Sequence, residues 1–240
     1  MKKNKKKKLN VAIIPARGGS TRLPNKNIKK IEGKPAIAWT IVKLKKIKLF
    51  DEIYVSTDSK KTASIALKYG AKVPFYRSKK LSNSFTSTQE VVSDMIKFLI
   101  NQGLHLGSVC CIYPTAFNFY KKDIILGFKK LEKNFNYVIA ASKYEKPPQR
   151  SFFIKKNQTI KMLMPSFFKF RTQELKPVYF DIGQFYWARA NVWIKKKLNF
   201  DNSCTSVHVP NWRAQDIDIK EDWIKAKKIF KKINKNEKKN

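Results

Sequence analysis

The stretch VAIIPARGGSTRLPNKN, residues 11–27, sets the fold that this chain is expected to adopt. Its apolar run from Val11 to Ala16 is short, rich in β-branched residues and closed by proline and a glycine pair, which is typical of a buried strand. Glycines directly after a first strand let backbone amides approach an anion closely, because no Cβ is in the way. The stretch therefore predicts a first strand followed by an anion-binding loop.

The loop after this strand is dense in hydrogen-bond donors and poor in carboxylates. Arg17 and Lys26 are the cations that we expect to hold phosphates. The other members of the predicted binding set are Gly18, Gly19, Ser20, Arg22 and Asn27. Such a composition suits a polyphosphate, although a basic surface loop in a lysine-rich chain is the alternative. The loop has neither the G-K-[ST] of a Walker A motif nor the G-x-G-x-x-G of a dinucleotide fingerprint.

Strand and helix patterns alternate through the first 143 residues. The predicted strands after the first are 52–57, 108–113 and 137–142, with a short extended piece at 73–76. The predicted helices are 34–47, 59–69, 87–101 and 121–133. Such alternation predicts an α/β fold with a mostly parallel central sheet flanked by helices, in a Rossmann-like arrangement. The loops after residues 16, 57 and 113 are then expected to face one cleft at the carboxyl ends of the strands.

The pattern changes after residue 143. A Pro-Pro-Gln-Arg segment opens a Phe-rich stretch with short apolar runs, which predicts a small antiparallel insertion at about 147–180. Its apolar side chains are expected to bury against a second copy of the chain, so we predict a homodimer. The predicted organisation is a basic tail at 1–10, a single domain at 11–224 that contains the insertion, and a C-terminal helix end with a basic tail at 225–240.

The net charge of +35 comes from 52 Lys and Arg residues against 17 Asp and Glu residues. Only seven of the basic residues are arginine and the lysines are spread along the chain, so specific nucleic-acid binding is not expected. The basic N-terminus lacks the apolar stretch of a signal peptide, and no segment is long enough for a membrane span. The three cysteines match neither a disulfide framework nor a zinc site. A cytoplasmic protein with free thiols is the expectation.

The segment Gln215-Asp216-Ile217-Asp218-Ile219 carries the candidate metal ligands. In an extended segment, residues two apart point to the same side, so Asp216 and Asp218 are expected to share one face while Ile217 and Ile219 anchor the other. Two converging carboxylates favour a cation between them, and an all-oxygen site favours Mg²⁺. The alternative is a strand end with two solvated aspartates.

The loop resembles the nucleotide-binding loop of the CMP-sialic acid synthetase family, whose pattern is A-R-x-x-S-K-x-x-P-x-K-N. Residues 16–27 follow that pattern except at Thr21, where the family has a lysine, so Arg22 or Lys26 must contribute more to holding the triphosphate. The resemblance extends from about residue 11 to residue 224 and includes the family's D-x-D at Asp216 and Asp218. It implies a nucleotidyltransferase fold, CTP as a substrate, Mg²⁺ on the two aspartates, and a homodimer with exchanged arms.

The loop that follows Arg77 is similar to the family's R-P-x-x-L-S-x-D-x-(A/T)-S stretch. The family implies cytidine contacts from such a loop, so Arg77 and Ser87 are the candidates for base recognition. The alternative for Ser87 is a helix N-cap that forms a capping box with Glu90, and both roles are compatible.

Three further segments indicate the branch within the family. Residues 110–116 occupy the position at which sialic acid and Kdo enzymes usually have the sequence L-Q-P-T-S. Residues 181–187 resemble the D-x-G-Q-F-Y-W of pseudaminic acid cytidylyltransferases. Residues 147–150 resemble the P-x-Q-R of that same branch. The resemblance implies an acidic nine-carbon sugar, with these candidate contacts: Tyr113, Thr115, Gln149, Arg150 and Gln184. The planar guanidinium of Arg150 suits a carboxylate, and the Gln184 amide suits acetamido groups.

The implied reaction is transfer of CMP from CTP to pseudaminic acid with release of pyrophosphate, which supplies a precursor for surface glycans or flagellin glycosylation. One alternative is the same reaction on N-acetylneuraminic acid, legionaminic acid or Kdo. A second is a family member that binds nucleotide without turnover, because of Thr21. The third is a polyanion-binding protein, against which the basic residues are interleaved with core patterning rather than gathered on one helix with aromatic residues.

Overall fold

The computed structural model describes residues 7–195 and 198–237 of the chain. The strands are β1 (Leu9–Pro15), β2 (Lys30–Ile31), β3 (Lys34–Pro35), β4 (Glu52–Ser56), β5 (Leu106–Ile112), β6 (Tyr137–Lys143), β7 (Phe152–Ile154), β8 (Ile160–Met162), β9 (Tyr179–Arg189) and β10 (Cys204–His208). The α-helices are α1 (Ala36–Lys45), α2 (Lys60–Lys68), α3 (Thr88–Asn101), α4 (Lys121–Leu131), α5 (Ala190–Lys195) and α6 (Lys220–Glu237).

Six strands form the central sheet in the order β10-β6-β9-β5-β1-β4. β1 lies parallel to β4 and to β5, and β10 lies parallel to β6. β9 runs antiparallel to both of its neighbours, β5 and β6. The predicted mostly parallel sheet is therefore confirmed. The carboxyl ends of the five parallel strands meet the start of β9 at one edge, which is where α/β sheets bind ligands.

Alternate residues of the strands face two different layers of helices. Ala12 and Ile14 of β1 belong to a core cluster with residues of α1, α2 and α4, whereas Val11 and Ile13 belong to a cluster with residues of α3 and α5. A third cluster joins α6 to Phe117 and to the chain after β1. Burial of apolar side chains on both faces of the sheet fixes the positions of the loops at its carboxyl edge.

The predicted elements of the first half are present with shifted ends. α1 begins at Ala36 rather than at residue 34, because Lys34–Pro35 pair antiparallel with Lys30–Ile31. The extended piece expected at 73–76 joins the sheet through an isolated bridge at Tyr76 instead of a regular strand. These differences lie at the ends of elements and leave the predicted order of strands and helices unchanged.

The insertion expected at about 147–180 contains a short antiparallel hairpin, in which β7 pairs with β8. Its last predicted residues already belong to β9, which begins at Tyr179. Three hairpin side chains are largely exposed, with exposed fractions of 52% for Phe152, 59% for Phe153 and 67% for Ile154. A single copy of the chain therefore leaves an apolar surface on the hairpin open to solvent.

The C-terminal helix end that is predicted within residues 225–240 packs against the body of the protein. Ala226, Phe230 and Ile233 are buried, because their spacing places them on one face of α6. The ring of Phe230 packs against that of Trp39, with 4.9 Å between centroids. Residues up to 233 thus belong to the packed body of the protein.

The N-terminal tail predicted at 1–10 ends earlier than expected, since Leu9 and Asn10 already lie in β1. Lys7 forms an ion pair with Asp51 at 2.6 Å. Residues 1–6 and 238–240, which the predicted basic tails include, lie outside the described residues.

Two expectations from composition can be compared with the structure. The three cysteines are free thiols, and Cys110 and Cys111 are buried. Among residues 7–195 and 198–237, every helix is too short or too polar to cross a lipid bilayer.

Candidate active site

The carboxyl edge of the sheet carries a cavity of about 350 Å³, which we call the basic cleft. Its walls come from the loop after β1, from the segment between residues 77 and 91, from the end of β5 and from the segment before α6. The predicted site residues that line it are Arg17, Ser20, Arg22, Lys26, Asn27, Arg77, Tyr113, Thr115, Asp216 and Asp218. The fold therefore brings the donor loop, the candidate base contact and the candidate metal ligands to one cavity.

Two hydrogen bonds hold the loop after β1 in place. Nδ2 of the buried Asn27 donates to the carbonyl oxygen of Arg17 at 3.0 Å. The Gly18 amide donates to the carboxylate of Asp58, which follows β4, at 2.7 Å. Gly18 is thus engaged by a carboxylate, and neither Gly18 nor Gly19 lines the basic cleft. In this structure the loop presents side chains, rather than the amides of the glycine pair, to the cleft.

Asp218, which lies just before α6, forms ion pairs with two residues of the loop after β1. Nζ of Lys26 lies 3.0 Å from one carboxylate oxygen of Asp218, and Nη2 of Arg22 lies 2.8 Å from the other. Lys26 also donates to the carbonyl oxygen of Ile217 at 2.7 Å. Two cations of the predicted phosphate loop therefore face one of the predicted metal ligands directly.

Asp216 lies at the same cleft, but not in the extended segment that the sequence predicts. Residues 215–219 belong to no strand, and a carboxylate oxygen of Asp216 accepts a hydrogen bond from the amide of Ile217 at 2.7 Å. Ile217 is buried, whereas Ile219 is 44% exposed. The predicted alternation with two anchored isoleucines is wrong, because the chain turns here into the first turn of α6.

Asp216 and Asp218 fit a divalent cation that arrives with phosphate ligands. Desolvation by the cleft walls and the neighbouring charge of Asp218 raise the pKa of the Asp216 carboxyl above its usual value, although part of that side chain meets solvent, and Lys26 opposes the shift. No cluster of three or more His, Cys, Asp or Glu side chains among the described residues could hold a metal by itself. Mg²⁺ is commonly bound by one or two carboxylates together with substrate phosphates and water, and two aspartates beside a donor loop match that type of site.

Arg77 forms another part of the basic cleft as a buried cation. It is 5% exposed, and this burial lowers the pKa of its guanidinium. Nε donates to the hydroxyl of Ser82 at 3.3 Å, whereas the buried Nη2 has no hydrogen-bond partner in the part of the chain that the structure describes. Buried donors are usually paired, so this nitrogen makes Arg77 a candidate for contact with a ligand.

Ser87 has the structural role that the sequence offers as the alternative. Its hydroxyl accepts from the amide of Glu90 at 3.2 Å, and its own amide donates to the Glu90 carboxylate at 2.8 Å, which forms a capping box at the start of α3. Ser87 does not line the basic cleft, but the next residue, Thr88, does. Thr88 was not predicted from the sequence. The run of hydroxyl residues at the end of the loop is the signal that could have identified it.

A second cavity of about 880 Å³, which we call the side cavity, opens between α3 and α5. Leu81, Thr88 and Tyr113 line both cavities, so the two are adjacent. The hydroxyls of Thr88 and Tyr113 lie 2.8 Å apart, and the rings of Tyr113 and Tyr186 lie 5.9 Å apart between centroids. Burial raises the pKa of Tyr113 to about 12 and raises that of Tyr186 further, so both phenols remain protonated at neutral pH.

The remaining predicted sugar contacts line neither cavity, because their side chains bind backbone. Nε2 of Gln149 donates to the Lys176 carbonyl at 3.0 Å, and Nε2 of Gln184 donates to the Arg213 carbonyl at 3.3 Å. Arg150 donates to the carbonyl oxygens of two residues of the insertion, at 168 and 170. One copy of the chain therefore does not bring Gln149, Arg150 and Gln184 into the cleft with Tyr113.

At the ligand-binding edge of the sheet, a donor-rich loop after the first strand faces two aspartates. This fold and this site are those of a nucleotidyltransferase. The family model described as cytidylyltransferase matches residues 11–176. The chain belongs to this cytidylyltransferase family. Membership of an enzyme family disfavours a polyanion-binding protein.

Relatives of known function cover nearly the whole chain. Pseudaminic acid cytidylyltransferases from two strains of Campylobacter jejuni are 36% and 37% identical over 226 and 227 residues, which cover 94% of this chain and 97% of each relative. A CMP-N,N'-diacetyllegionaminic acid synthase from Legionella pneumophila is 32% identical over 231 residues, covering 92% of this chain and 95% of the relative.

A solved structure supports the fold. CMP:2-keto-3-deoxy-manno-octonic acid synthetase in complex with CTP superimposes with a TM-score of 0.68 at 15% sequence identity, covering 93% of this chain and 99% of the other. At that identity the likeness shows a shared architecture of strands and helices.

Proposed function

We propose that this protein transfers CMP from CTP to pseudaminic acid and releases pyrophosphate. The observation that carries the proposal is the basic cleft, in which Arg22 and Lys26 face Asp218 while Arg77 keeps an unpaired buried donor. The similarity to pseudaminic acid cytidylyltransferases over 94% of the chain supports the choice of sugar.

The proposed step forms a bond between a sugar hydroxyl oxygen and the α-phosphorus of CTP, and breaks the bond between that phosphorus and the bridging oxygen, which leaves with the pyrophosphate. The proton of the hydroxyl passes to solvent. Such transfers depend on positioning and charge neutralisation more than on covalent catalysis. Arg17, Arg22 and Lys26 bind the phosphate oxygens and hold the departing pyrophosphate. Asp216 and Asp218 hold Mg²⁺, which when bound neutralises charge on the transferred phosphoryl group.

Arg77 is the proposed contact to the cytosine ring. Cytosine presents two adjacent acceptors, the O2 carbonyl and N3, whereas uracil carries a proton on N3. A guanidinium nitrogen that donates and cannot accept matches the first pattern better than the second. Arg77 lines the basic cleft, and its buried Nη2 has no hydrogen-bond partner among the described residues, which supports this role.

The side cavity is the proposed site of the acceptor sugar. It adjoins the basic cleft at Thr88 and Tyr113, so a sugar bound there would lie next to a nucleotide bound in the basic cleft. The protonated phenols of Tyr113 and Tyr186 suit the hydroxyl and acetamido groups of a nine-carbon sugar, because a phenol both donates and accepts. This placement keeps Tyr113 as a sugar contact and adds Tyr186, Thr88 and the first turns of α3.

The assay that tests the proposal follows pyrophosphate release with CTP, UTP, ATP or GTP against pseudaminic acid, legionaminic acid, N-acetylneuraminic acid and Kdo. We expect the highest kcat/KM with CTP and pseudaminic acid, at millimolar Mg²⁺. Equal or better turnover of N-acetylneuraminic acid contradicts the sugar assignment. Release with every sugar but no preference for CTP contradicts the role of Arg77.

Legionaminic acid is the second candidate sugar. The similarity to the Legionella pneumophila synthase, 32% identical over 92% of this chain, favours it over N-acetylneuraminic acid and Kdo. The same assay separates legionaminic from pseudaminic acid, since both sugars are presented with the same nucleotide.

The hairpin of the insertion is the proposed contact surface of a homodimer. Ile154 and Ile160 pair across the hairpin and are 67% and 61% exposed. Light scattering at micromolar concentration, in salt that screens the lysines, is expected to give a dimer for the natural chain and a monomer for the double variant Ile154→Lys and Ile160→Lys. Leu126→Lys, which changes a 44% exposed residue of α4, is the control and should stay dimeric. A monomeric natural chain contradicts the proposal.

A further inference from the structure

We propose that Gly183 is a positioning residue for Asp216, because a side chain at this position would press against the Asp216 carboxylate. The inference rests on the proposed function, in which Asp216 and Asp218 hold the metal. Gly183 belongs to β9, far from Asp216 along the chain, and it does not line the basic cleft itself.

Two properties of the position exclude other residues. The backbone of Gly183 has φ of +59°, a left-handed conformation that residues with a Cβ rarely adopt. A Cβ at this position would lie 3.1 Å from Oδ2 and 3.2 Å from Cγ of Asp216. The carboxylate of Asp216 thus lies against the bare backbone of β9, and a methyl group there requires the carboxylate or the strand to move by a few tenths of an ångström.

The turn around Gly183 is held by hydrogen bonds, so it does not readily move aside. One carboxylate oxygen of Asp181 accepts from the amide of Gly183 at 2.9 Å, and the other accepts from the hydroxyl of Tyr186 at 2.7 Å. The side chain of the next residue, Gln184, donates to the carbonyl of Arg213, three residues before Asp216. The turn and the segment that carries Asp216 are therefore fixed to each other.

The other carboxylate of the pair is held from a different side. Asp218 is fixed by Lys26 and Arg22, which belong to the loop after β1 and not to β9. A displacement of Asp216 by a side chain at 183 therefore changes its position relative to Asp218. Since Mg²⁺ requires near-ideal geometry from its oxygen ligands, such a change weakens metal binding while the donor loop and Arg77 keep their places.

The test compares Gly183→Ala with Gly103→Ala. Gly103 has a similar left-handed φ of +82°, but a Cβ there would have no atom within 4 Å. Both variants therefore strain the backbone, and only one pushes on Asp216. The binding measurement is titration of Mn²⁺ into protein with a non-hydrolysable CTP analogue, with free Mn²⁺ followed by electron paramagnetic resonance. The kinetic measurement is the Mg²⁺ dependence of pyrophosphate release.

Gly183→Ala is expected to weaken Mn²⁺ binding by at least about tenfold, as is usual when a residue that orients a metal ligand is changed, and to raise the half-saturating Mg²⁺ concentration similarly. The KM for CTP at saturating Mg²⁺ should stay within about threefold of the natural value, and Gly103→Ala should change neither metal constant. Equal Mn²⁺ affinities for the two variants overturn the inference.

A second variant decides the matter if Gly183→Ala does not fold. Gly183→Asn puts the same Cβ beside Asp216, and asparagine tolerates a left-handed backbone better than alanine does. It is expected to weaken Mn²⁺ binding about as much as Gly183→Ala, and an unchanged Mn²⁺ affinity overturns the inference. Failure of the proposed function has a different signature, since the natural chain itself would then neither bind Mn²⁺ with the CTP analogue nor release pyrophosphate from CTP.

Discussion

The loop after β1 and the segment from residue 147 to residue 184 both match motifs, yet their polar side chains have different partners. Lys26 and Arg22 of the loop pair with the Asp218 carboxylate at the cleft, and Lys26 also donates to the Ile217 carbonyl. Under the proposed function, the two cations exchange the carboxylate for a ligand. Gln149 and Gln184 of the later segment bind backbone carbonyls inside the fold. The comparison teaches that a motif identifies the family in both places, whereas the tertiary partner decides whether a side chain is available to substrate.

The largest effect is expected at the cleft, where charged side chains pair with each other. Asp218→Asn should lower the rate of pyrophosphate release by about a thousandfold, or about 4 kcal/mol, because it removes charge that holds the metal. The melting temperature should change little, since the pair with the 67% exposed Arg22 contributes little to stability, and asparagine keeps an oxygen that can accept from the less exposed Lys26. Asp51→Asn, which changes a carboxylate away from the cleft, is the control. A near-normal rate for Asp218→Asn at saturating Mg²⁺ would remove this aspartate from the metal site.

Arg77 provides the next test at the cleft, since its side chain is buried and still has a free donor. Arg77→Ala should raise the KM for CTP by about tenfold to a hundredfold, because a hydrogen bond from a charged group is worth about 1.5–3 kcal/mol. The exposed neighbour Lys79→Ala should leave the KM for CTP unchanged. If both variants have the same KM, the free donor of Arg77 does not meet the nucleotide.

Gln184 and Tyr113 sharpen the comparison on the sugar side. Gln184→Leu should reduce the free energy of unfolding by about 1 kcal/mol, through the lost bond to Arg213, and should leave the preference for pseudaminic over N-acetylneuraminic acid nearly unchanged. Tyr113→Phe should instead lower that preference by about fivefold, which also corresponds to about 1 kcal/mol. A loss of preference in Gln184→Leu alone would reverse the comparison, since the later segment would then meet the sugar.

Thr21 is expected to give the smallest effect. Thr21 lines the basic cleft and is exposed, and Arg22 and Lys26 beside it already supply two cations. Thr21→Lys should therefore change kcat/KM by less than about threefold. A rise beyond about a hundredfold, worth about 2.7 kcal/mol, would show that the natural chain is catalytically impaired.

Most of the fold was predictable because it depends on local patterns. The apolar run of β1, the capping box of Ser87 with Glu90, and the helix periodicity of α3 each lie within a few consecutive residues. The antiparallel direction of β9 was not predictable in this way, since residues 184–188 have the same apolar pattern whichever way the strand runs.

The candidate site likewise contains residues whose positions were predictable from local sequence and residues whose positions were not. Arg17, Lys26 and Asn27 could be placed at the cleft because they belong to the loop that follows the first strand, and the ends of parallel strands share one edge. Ile219 was misassigned because the chain turns into α6 after Asp218, and nothing in the alternation of two aspartates with two isoleucines indicates a turn. Hydrogen bonds between distant segments, such as that from Gln184 to Arg213, cannot be predicted from the spacing of residues in the sequence.

The ion pairs of Asp218 also bear on how the enzyme meets its nucleotide. In the structure, Lys26 and Arg22 are paired with the carboxylate of Asp218. Under the proposed function, a metal ion alone would have to compete with these two cations for that carboxylate, and a bare triphosphate would have to compete with the carboxylate for the cations. The Mg²⁺ complex of CTP would supply both replacements at once, so its binding would be an exchange of partners. Metal and nucleotide are therefore expected to enter the cleft together, with little net change in the number of unpaired charges.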